Sequence, residues 1–173
     1  MIIKSVRGFK PMYGDDCFFA ENSVLIGDVI MGNNCSIWYS DVVRGDVNSI
    51  KIGDRVNIQD GAVIHGTYLK AKTEIGNDVS IGHNAIVHGC KIENSVLIGM
   101  GSIVMDNSII ESNSIVAAGS VVLENTHIKA GSIFAGVPAK KIKNISEELK
   151  KNEIDRIASS YIKYSNWYKD FTK

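Results

Sequence analysis

The chain has 173 residues, of which 45% are hydrophobic and 22% charged, with 19 basic and 19 acidic side chains. This length and balance suit one folded domain and argue against disorder. Because the formal charge is zero and no long basic run occurs, we expect neither a nucleic acid nor a membrane partner.

The N-terminal residues 1–19 are predicted to form a strand or cap that covers the open end of the fold that follows. Charges come early and evenly in "MIIKSVRGFKPMYGDD", which is unlike a secretion signal. No stretch approaches the ~20 apolar residues that a membrane span needs. The sequence therefore predicts a cytoplasmic protein.

Residues 20–139 repeat with a period of six, as in "IGDRVN IQDGAV IHGTYL" and "IGNDVS IGHNAI". An apolar residue opens every six-residue rung, and a glycine often follows it, which suits a tight corner or a positive φ. The period is typical of a parallel β-helix, in which each hexapeptide forms one face and three faces make a coil. A conventional β-sandwich would instead show turn signals every ~8 to 12 residues. The predicted leading residues are Ile26, Met31, Ile37, Val43, Ile52, Ile58, Ile64, Ile75, Ile81, Val87, Ile92, Ile98, Val104, Ile110, Val116, Val122, Ile128 and Phe134.

Two places lengthen the period. Extra residues separate Val43 from Ile52 and Ile64 from Ile75. Since a stacked coil cannot absorb insertions without breaking its hydrogen-bonded ladder, we predict that "DVNSIK" and "GTYLKAKTE" leave the stack as loops.

The repeat is predicted to end near residue 139, because Pro138 cannot continue a ladder. Ser146 is a favourable N-cap, and Glu147 and Glu148 suit the positive end of a helix dipole. The spacing of the apolar residues that follow predicts an amphipathic helix over residues 146–171 that packs along the coil.

The three cysteines, Cys17, Cys35 and Cys90, show no CxxC spacing. An odd number without that spacing argues against a disulfide framework and against a thiolate zinc site. We predict that they are reduced packing residues.

Three histidines fall close together on the predicted lattice. Counting rungs in threes makes Ile64 and Val87 open the third face of successive coils, so His65 and His88 stack one coil apart. Two imidazoles on backbones ~4.8 Å apart can bind one ion, since zinc lies ~2.0 Å from each histidine nitrogen. His83 belongs to another face, beside Asp60, so we predict that a neighbouring subunit donates this third ligand. His127 is predicted to be solvated or hydrogen-bonded.

Several motifs resemble the γ-class carbonic anhydrases, which are left-handed β-helix hexapeptide-repeat proteins, and the resemblance covers nearly the whole chain. The motifs are "RGD" (44–46), "NIQDG" (57–61), "VIH" (63–65), "SIGHNAIVHG" (80–89), "AGVPAK" (135–140) and a terminal helix with Tyr161. The resemblance implies a left-handed solenoid and a homotrimer with a metal at each subunit interface. Each metal would be held by His65 and His88 of one chain and His83 of the next.

The resemblance also assigns roles to other residues. Arg44, Asp46 and Asp60 correspond to interface ion-pair residues, Gln59 to the residue that orients the metal-bound water, and Asn57 to its support. Tyr161 corresponds to an active-site tyrosine, although core packing explains a tyrosine on an apolar helix face equally well.

The implied reaction is the reversible hydration of carbon dioxide to bicarbonate, with metal-bound hydroxide as the nucleophile. Zn²⁺ is the expected cofactor, and Fe²⁺ or Co²⁺ would suit the same nitrogen ligands. The acidic loops that carry proton-shuttle glutamates in this family are missing, because Val47 follows Asp46 and the loop after His65 is short and basic until Glu74. A relay through Tyr68, Glu74 or water stays open.

Two other functions stay open. An acyl-CoA-dependent acyltransferase on the same coil would use one histidine as a general base and leave two unexplained. A metal-binding scaffold with little or no hydration activity would keep the fold without the chemistry.

Overall fold

The computed structural model describes residues 1–169, and residues 170 and 171 of the predicted helix lie outside them. Most strands are two or three residues long and are joined by tight corners. They are β1 (Ile2–Lys4), β2 (Met12–Tyr13), β3 (Phe18–Phe19), β4 (Val24–Met31), β5 (Ser36–Ile37), β6 (Val42–Ile52), β7 (Asn57–Ile58), β8 (Val63–His65), β9 (Thr73–Ile75), β10 (Ser80–Ile81), β11 (Ile86–His88), β12 (Lys91–Ile92), β13 (Leu97–Ile98), β14 (Ile103–Val104), β15 (Ile109–Ile110), β16 (Ile115–Val116), β17 (Val121–Val122), β18 (His127–Ile128), β19 (Ser132–Ala135) and β20 (Lys140–Asn144).

The strands stack into a left-handed parallel β-helix, which confirms the predicted fold class. Each coil has a first face with strands such as β9 and β12, a second with strands such as β7 and β10, and a third with strands such as β8 and β11. The long strands β4 and β6 each run from the third face into the first, and so join those two faces in one sheet. Strands on the same face pair in parallel with their counterparts one coil away, except for the antiparallel pair β19 and β20.

The core is the column of inward-pointing residues inside the coils. The predicted leading residues from Met31 to Ile128 are all buried, and Phe134 packs against them from a partly buried position. The prediction for the first rung was wrong, because Leu25 points inward and is fully buried, whereas Ile26 points outward beside Arg44. The rung from Leu25 to Met31 therefore has the regular six residues.

The first predicted loop is not a loop. Residues 46–51 lie inside the continuous strand β6, which pairs with β4 on both sides of a register shift between Gly27 and Val29. The extra residues form a bulge at the corner between two faces, and a bulge of this kind re-aims the side chains that it carries. The second predicted loop does leave the stack around Tyr68, with a bridge between Thr67 and Ala71 at its base.

Close packing between coils, rather than positive φ, explains most glycines that follow a leading residue. A Cβ on Gly53 would come within 2.8 Å of the backbone of Gly76 in the next coil. Positive φ occurs instead at corner residues such as Asn84 and Asn107, whose short polar side chains tolerate it.

The N-terminal segment adds a coil to the stack. Strand β1 pairs with the start of β4, β2 with its end, and β3 with β5, so each face gains one strand.

The C-terminal segment is helical, with an irregular start. Helix α1 spans Glu147–Leu149, a π-helical turn spans Lys150–Asp155, and helix α2 spans Arg156–Lys169. The Ser146 side chain accepts a hydrogen bond from the Leu149 amide, as expected of an N-cap. Ile154 is buried against Ile115 and Ile133, so the helix covers the second face.

Candidate metal centre

The structure separates the predicted site residues into two groups on the chain. His65 and His88 end strands β8 and β11 of the third face, and parallel pairing places them directly beside each other. His83 follows β10 of the second face, beside Asp60. We call the first group the histidine pair and the second group, with Asn57, Gln59 and Tyr161, the His83 group.

The two rings of the histidine pair turn one nitrogen each toward a common point. His65 Nδ1 lies 3.1 Å from His88 Nε2, and the ring centroids are 5.1 Å apart with planes inclined by 58°. Two nitrogens that each lie ~2.0 to 2.1 Å from one zinc ion are a little over ~3 Å apart. The separation therefore suits a shared divalent cation.

A carboxylate stands behind each ring. His65 Nε2 lies 3.1 Å from Asp46 Oδ1, and His88 Nδ1 lies 2.6 Å from Asp106 Oδ1. With the outer nitrogens assigned as the donors to these carboxylates, each inner nitrogen presents a lone pair. Two lone pairs that face each other repel, whereas a cation between them would bind both, so the donor set fits a metal.

Asp106 is a site residue that the sequence analysis missed. Its side chain is buried and also accepts a 2.5 Å hydrogen bond from Thr67 Oγ1. The approach requires Gly89, because a Cβ at that position would lie 2.3 Å from Asp106 Oδ1. The sequence signal was the lattice position of Asp106, which is that of Gly89 one coil later and adjacent to the histidine column.

The surroundings of His65 and Asp46 shift their pKa values in directions that favour binding of a cation. Burial lowers the pKa of His65, and the positive charge of Arg44 lowers it further, against the opposing hydrogen bond to Asp46. Partial burial raises the pKa of Asp46, but hydrogen bonds from Arg44 and His65 outweigh it and leave the pKa below its ordinary value. At neutral pH the site thus holds a neutral imidazole backed by an ionised carboxylate, as metal binding requires.

Two of the three predicted ion-pair residues meet within the chain. Arg44 Nη1 lies 2.6 Å from Asp46 Oδ2, so Asp46 bridges the guanidinium and His65. Asp60 instead lies 3.0 Å from His83 Nδ1, measured from its Oδ2 atom. An orienting carboxylate thus stands behind each of the three histidines.

Three members of the His83 group, His83, Gln59 and Tyr161, line a cavity of about 430 Å³ between the second face and the C-terminal helix. Tyr161 Oη lies 3.4 Å from His83 Nε2, a long contact for a hydrogen bond. Gln59 Nε2 donates to Asn57 Oδ1 at 2.9 Å, and Asn57 Nδ2 donates to Ser80 Oγ at 2.8 Å. This chain fixes the orientation of the Gln59 amide at the cavity wall.

Tyr161 takes part in both packing and the cavity wall. Its ring meets Trp38 edge to face at 5.3 Å, and its hydroxyl reaches His83. Burial, with the nearby negative charge of Asp60, raises the pKa of Tyr161 to about 12, so the phenol stays protonated near neutral pH.

An uninterrupted column of outward-facing β-branched apolar residues borders the histidine pair, and we call it the third-face strip. Its members, which are paired from coil to coil, are Val24, Val42, Val63, Ile86, Ile103 and Val121. On the first face the corresponding column includes Lys51, Glu74 and Lys91. Only the third face therefore presents a continuous apolar surface that no helix covers within residues 1–169.

Across residues 1–169, no three metal-binding side chains of the types His, Cys, Asp and Glu come together within the single chain. The histidine pair supplies two nitrogens, and His83 lies on a different edge of the coil. No helix in the described part of the chain is long and apolar enough to cross a membrane.

Sequence and structure comparisons agree with these features. Residues 89–124 match the family described as "Bacterial transferase hexapeptide (six repeats)". A carbonic anhydrase of Geobacillus kaustophilus is 37% identical over 168 residues, which cover 97% of this chain and 91% of that protein. The mitochondrial gamma carbonic anhydrase 2 of Arabidopsis thaliana is 40% identical over 162 residues, which cover 91% of this chain and 57% of that protein.

Among solved structures, a Bacillus cereus protein provisionally classed as an acetyltransferase superposes with a TM-score of 0.95. It is 35% identical, and the match covers 98% of each chain. The carbonic anhydrase relatives and the shared coil agree with the motifs that surround the three histidines. The chain belongs to the gamma carbonic anhydrase family of hexapeptide-repeat proteins.

Proposed function

We propose that the protein is a gamma-type carbonic anhydrase that hydrates carbon dioxide reversibly, with its metal sites at the interfaces of a homotrimer. The observation that carries this proposal is the 3.1 Å approach of His65 Nδ1 to His88 Nε2, with Asp46 and Asp106 behind the rings. The names of the relatives support the same reaction.

The proposed site combines the two groups across an interface. His65 and His88 of one chain and His83 of the next would hold the cation, preferably Zn²⁺, and leave one position for solvent. Bound there, the metal supplies Lewis acidity that makes water acidic enough to ionise near neutral pH. The third-face strip supports the trimer, because it offers apolar surface to a second copy beside the histidine pair.

The protein's own residues orient the metal ligands and the reactant. Asp46 and Asp106 hold the outer imidazole protons, so the inner nitrogens stay available as ligands. Gln59, fixed by Asn57, presents its amide beside His83, where it can orient a small polar reactant without adding charge. Tyr161 keeps its proton and offers a hydroxyl at the same place.

The two residues considered as carriers of the product proton, Glu74 and Tyr68, are both engaged with basic side chains. Glu74 lies on the first face, 2.6 Å from Lys72 Nζ, and the hydrogen bond from Lys72 holds its pKa below the ordinary value. Tyr68 is exposed under the Arg7 guanidinium, whose Cζ lies 5.4 Å from the ring centroid. We therefore expect slow turnover that exogenous buffer accelerates.

Complementation between two inactive variants tests the shared site. H83A and H88A should each lose hydration activity, because each removes one ligand from every site. In trimers co-assembled from equal amounts, about one site in four should be intact, since each of its two chains is of the required variant half of the time. Mixing H65A with H88A should restore nothing, because both ligands come from the same chain. Equal recovery in the two mixtures would contradict the shared site.

Metal analysis with stopped-flow assays separates the three candidate functions. A carbonic anhydrase binds about one metal per chain and hydrates carbon dioxide, whereas a scaffold binds metal without hydration. One observation supports the acyltransferase alternative, which is that the similar Bacillus cereus structure is provisionally described as an acetyltransferase. Turnover of acetyl-CoA without metal or hydration would establish that alternative and overturn the proposal.

A further inference from the structure

Two of the three cysteines lie next to each other at the N-terminal end of the solenoid. Strands β3 and β5 pair in parallel, with Phe18 opposite Ser36, so Cys17 and Cys35 precede paired positions in adjacent coils. Neighbouring strands are ~4.8 Å apart, and disulfide-bonded cysteines have Cα atoms ~4.4 to 6.8 Å apart. The backbone therefore suits a cross-strand disulfide.

The two thiols have different environments. Cys35 is 1% exposed, whereas Cys17 is partly exposed. Each sulfur lies 3.2 Å from the carbonyl oxygen of a glycine, Cys17 Sγ from Gly32 and Cys35 Sγ from Gly53. β3 is the last strand of its sheet, with no strand on its outer side among the described residues, so Cys17 can be reached and can shift slightly.

The neighbouring positions of the two cysteines on adjacent strands favour a reactive Cys17. The neighbouring Cys35 thiol lowers the pKa of Cys17 to about 7, with help from the charge of Lys169, although burial opposes the shift. The proximity of Cys17, together with burial, raises the pKa of Cys35. One thiolate paired with one protonated thiol is the arrangement of a nucleophilic and a resolving cysteine.

We infer that Cys17 and Cys35 form a peroxide-oxidisable dithiol, a modification site separate from the candidate metal centre. The Cys17 thiolate attacks the terminal oxygen of a hydroperoxide, the O–O bond breaks, and the alcohol or water leaves after protonation. The sulfur is thereby oxidised to a sulfenic acid. The Cys35 sulfur then attacks Cys17, an S–S bond replaces the S–O bond, and water leaves with the Cys35 proton.

Cys90 provides a matched control within the chain. It is 2% exposed, and burial raises its pKa to about 12, so it should not react while the protein is folded. After treatment of the folded protein with hydrogen peroxide, we expect the titre of free thiols to fall from three to one. Peptide mapping should show a Cys17–Cys35 link, and C90S should still lose two thiols.

The reactivity of Cys17 gives a second readout that needs no disulfide. The rate of its alkylation by iodoacetamide should rise with pH around a midpoint of about 7. At pH 7 it should be roughly ten-fold faster than that of an ordinary thiol, since the larger thiolate fraction outweighs the lower nucleophilicity. In C35S the midpoint should move toward the ordinary value of 9.0, and peroxide should leave a sulfenic acid that dimedone traps.

Three retained thiols after peroxide treatment, or a link that includes Cys90, would overturn the inference. An alkylation midpoint near 9.0 in the unmodified protein would overturn it as well, because Cys17 would then be an ordinary thiol. None of these results bears on metal binding or hydration, so the inference can fail independently of the proposed function.

Discussion

Asp46 and Asp106 each stand behind one ring of the histidine pair, on the side away from the other ring. A histidine that donates one N–H to a carboxylate has a fixed tautomer and a more basic second nitrogen. The two aspartates therefore decide which nitrogens can bind a cation. Thr67 extends this support, since its hydroxyl donates to Asp106 from the base of the inserted loop.

Replacement of Asp106 by asparagine should weaken zinc binding about 10 to 100-fold, because the amide cannot hold the His88 proton as a carboxylate does. Competition with a chromophoric chelator measures the change. D78N is the matched control, because Asp78 pairs with Arg55 on the surface and does not belong to the site. Equal zinc affinity in D106N and wild type would show that Asp106 does not position His88.

The sequence predicted the histidine pair because stacking in this fold repeats every coil, so lattice counting brings His65 beside His88. It did not predict Asp106, because that contact depends on the missing Cβ of Gly89 and on the turn of the loop after His65. The lattice position of Asp106 places it next to the histidine column, but the approach of its side chain to His88 follows from three-dimensional packing.

Corners and bulges connect the short strands of the coil. The bulge in β6 carries Asp46 toward His65, which a mobile loop at the same place would do less well. The period revealed the extra residues but could not show that β4 and β6 stay paired around them, since both a loop and a bulge lengthen a rung.

The buried Asp41 links two successive coils at another corner, because it accepts hydrogen bonds from the amides of Trp38 and Ala62.

Asp41 should make stability fall as the pH rises. Burial raises the pKa of Asp41 to about 8, above its ordinary value of 3.8, against the hydrogen bonds from the two amides. The folded protein therefore binds this proton more tightly than the unfolded chain. Stability then declines as the pH rises from the ordinary pKa of 3.8 to the raised pKa of about 8. In wild type and in D78N, the urea concentration at the unfolding midpoint should be lower at about pH 8.5 than at about pH 6.5. The decrease should be smaller in D41N. An equal drop in all three would show that Asp41 does not carry the effect.

The three faces of the solenoid differ in what they meet. The helix covers the second face, charged side chains occupy the first, and the third presents apolar residues beside the histidine pair. The fold class was predictable because the six-residue period specifies it directly. The different surroundings of the three faces depend on outward-pointing residues, whose identity the six-residue period does not specify.

The third-face strip should hold the proposed trimer together. I86K places a charge in the middle of the strip and should give monomers, since burial of an unpaired lysine at an interface is unfavourable. I109K is the control, because Ile109 also points outward but lies on the first face, between Lys91 and His127. Sedimentation of both variants measures the effect. Trimers from I86K, or monomers from both variants, would contradict the role of the strip.

Anomalous diffraction at the zinc edge from crystals of the metal-loaded protein tests the central claim most directly. The account predicts one peak per chain, within about 2.0 to 2.1 Å of His65 Nδ1 and His88 Nε2, with the third nitrogen from His83 of a neighbouring copy. A metal bound elsewhere, or one held by these two histidines without His83 of another copy, would contradict it.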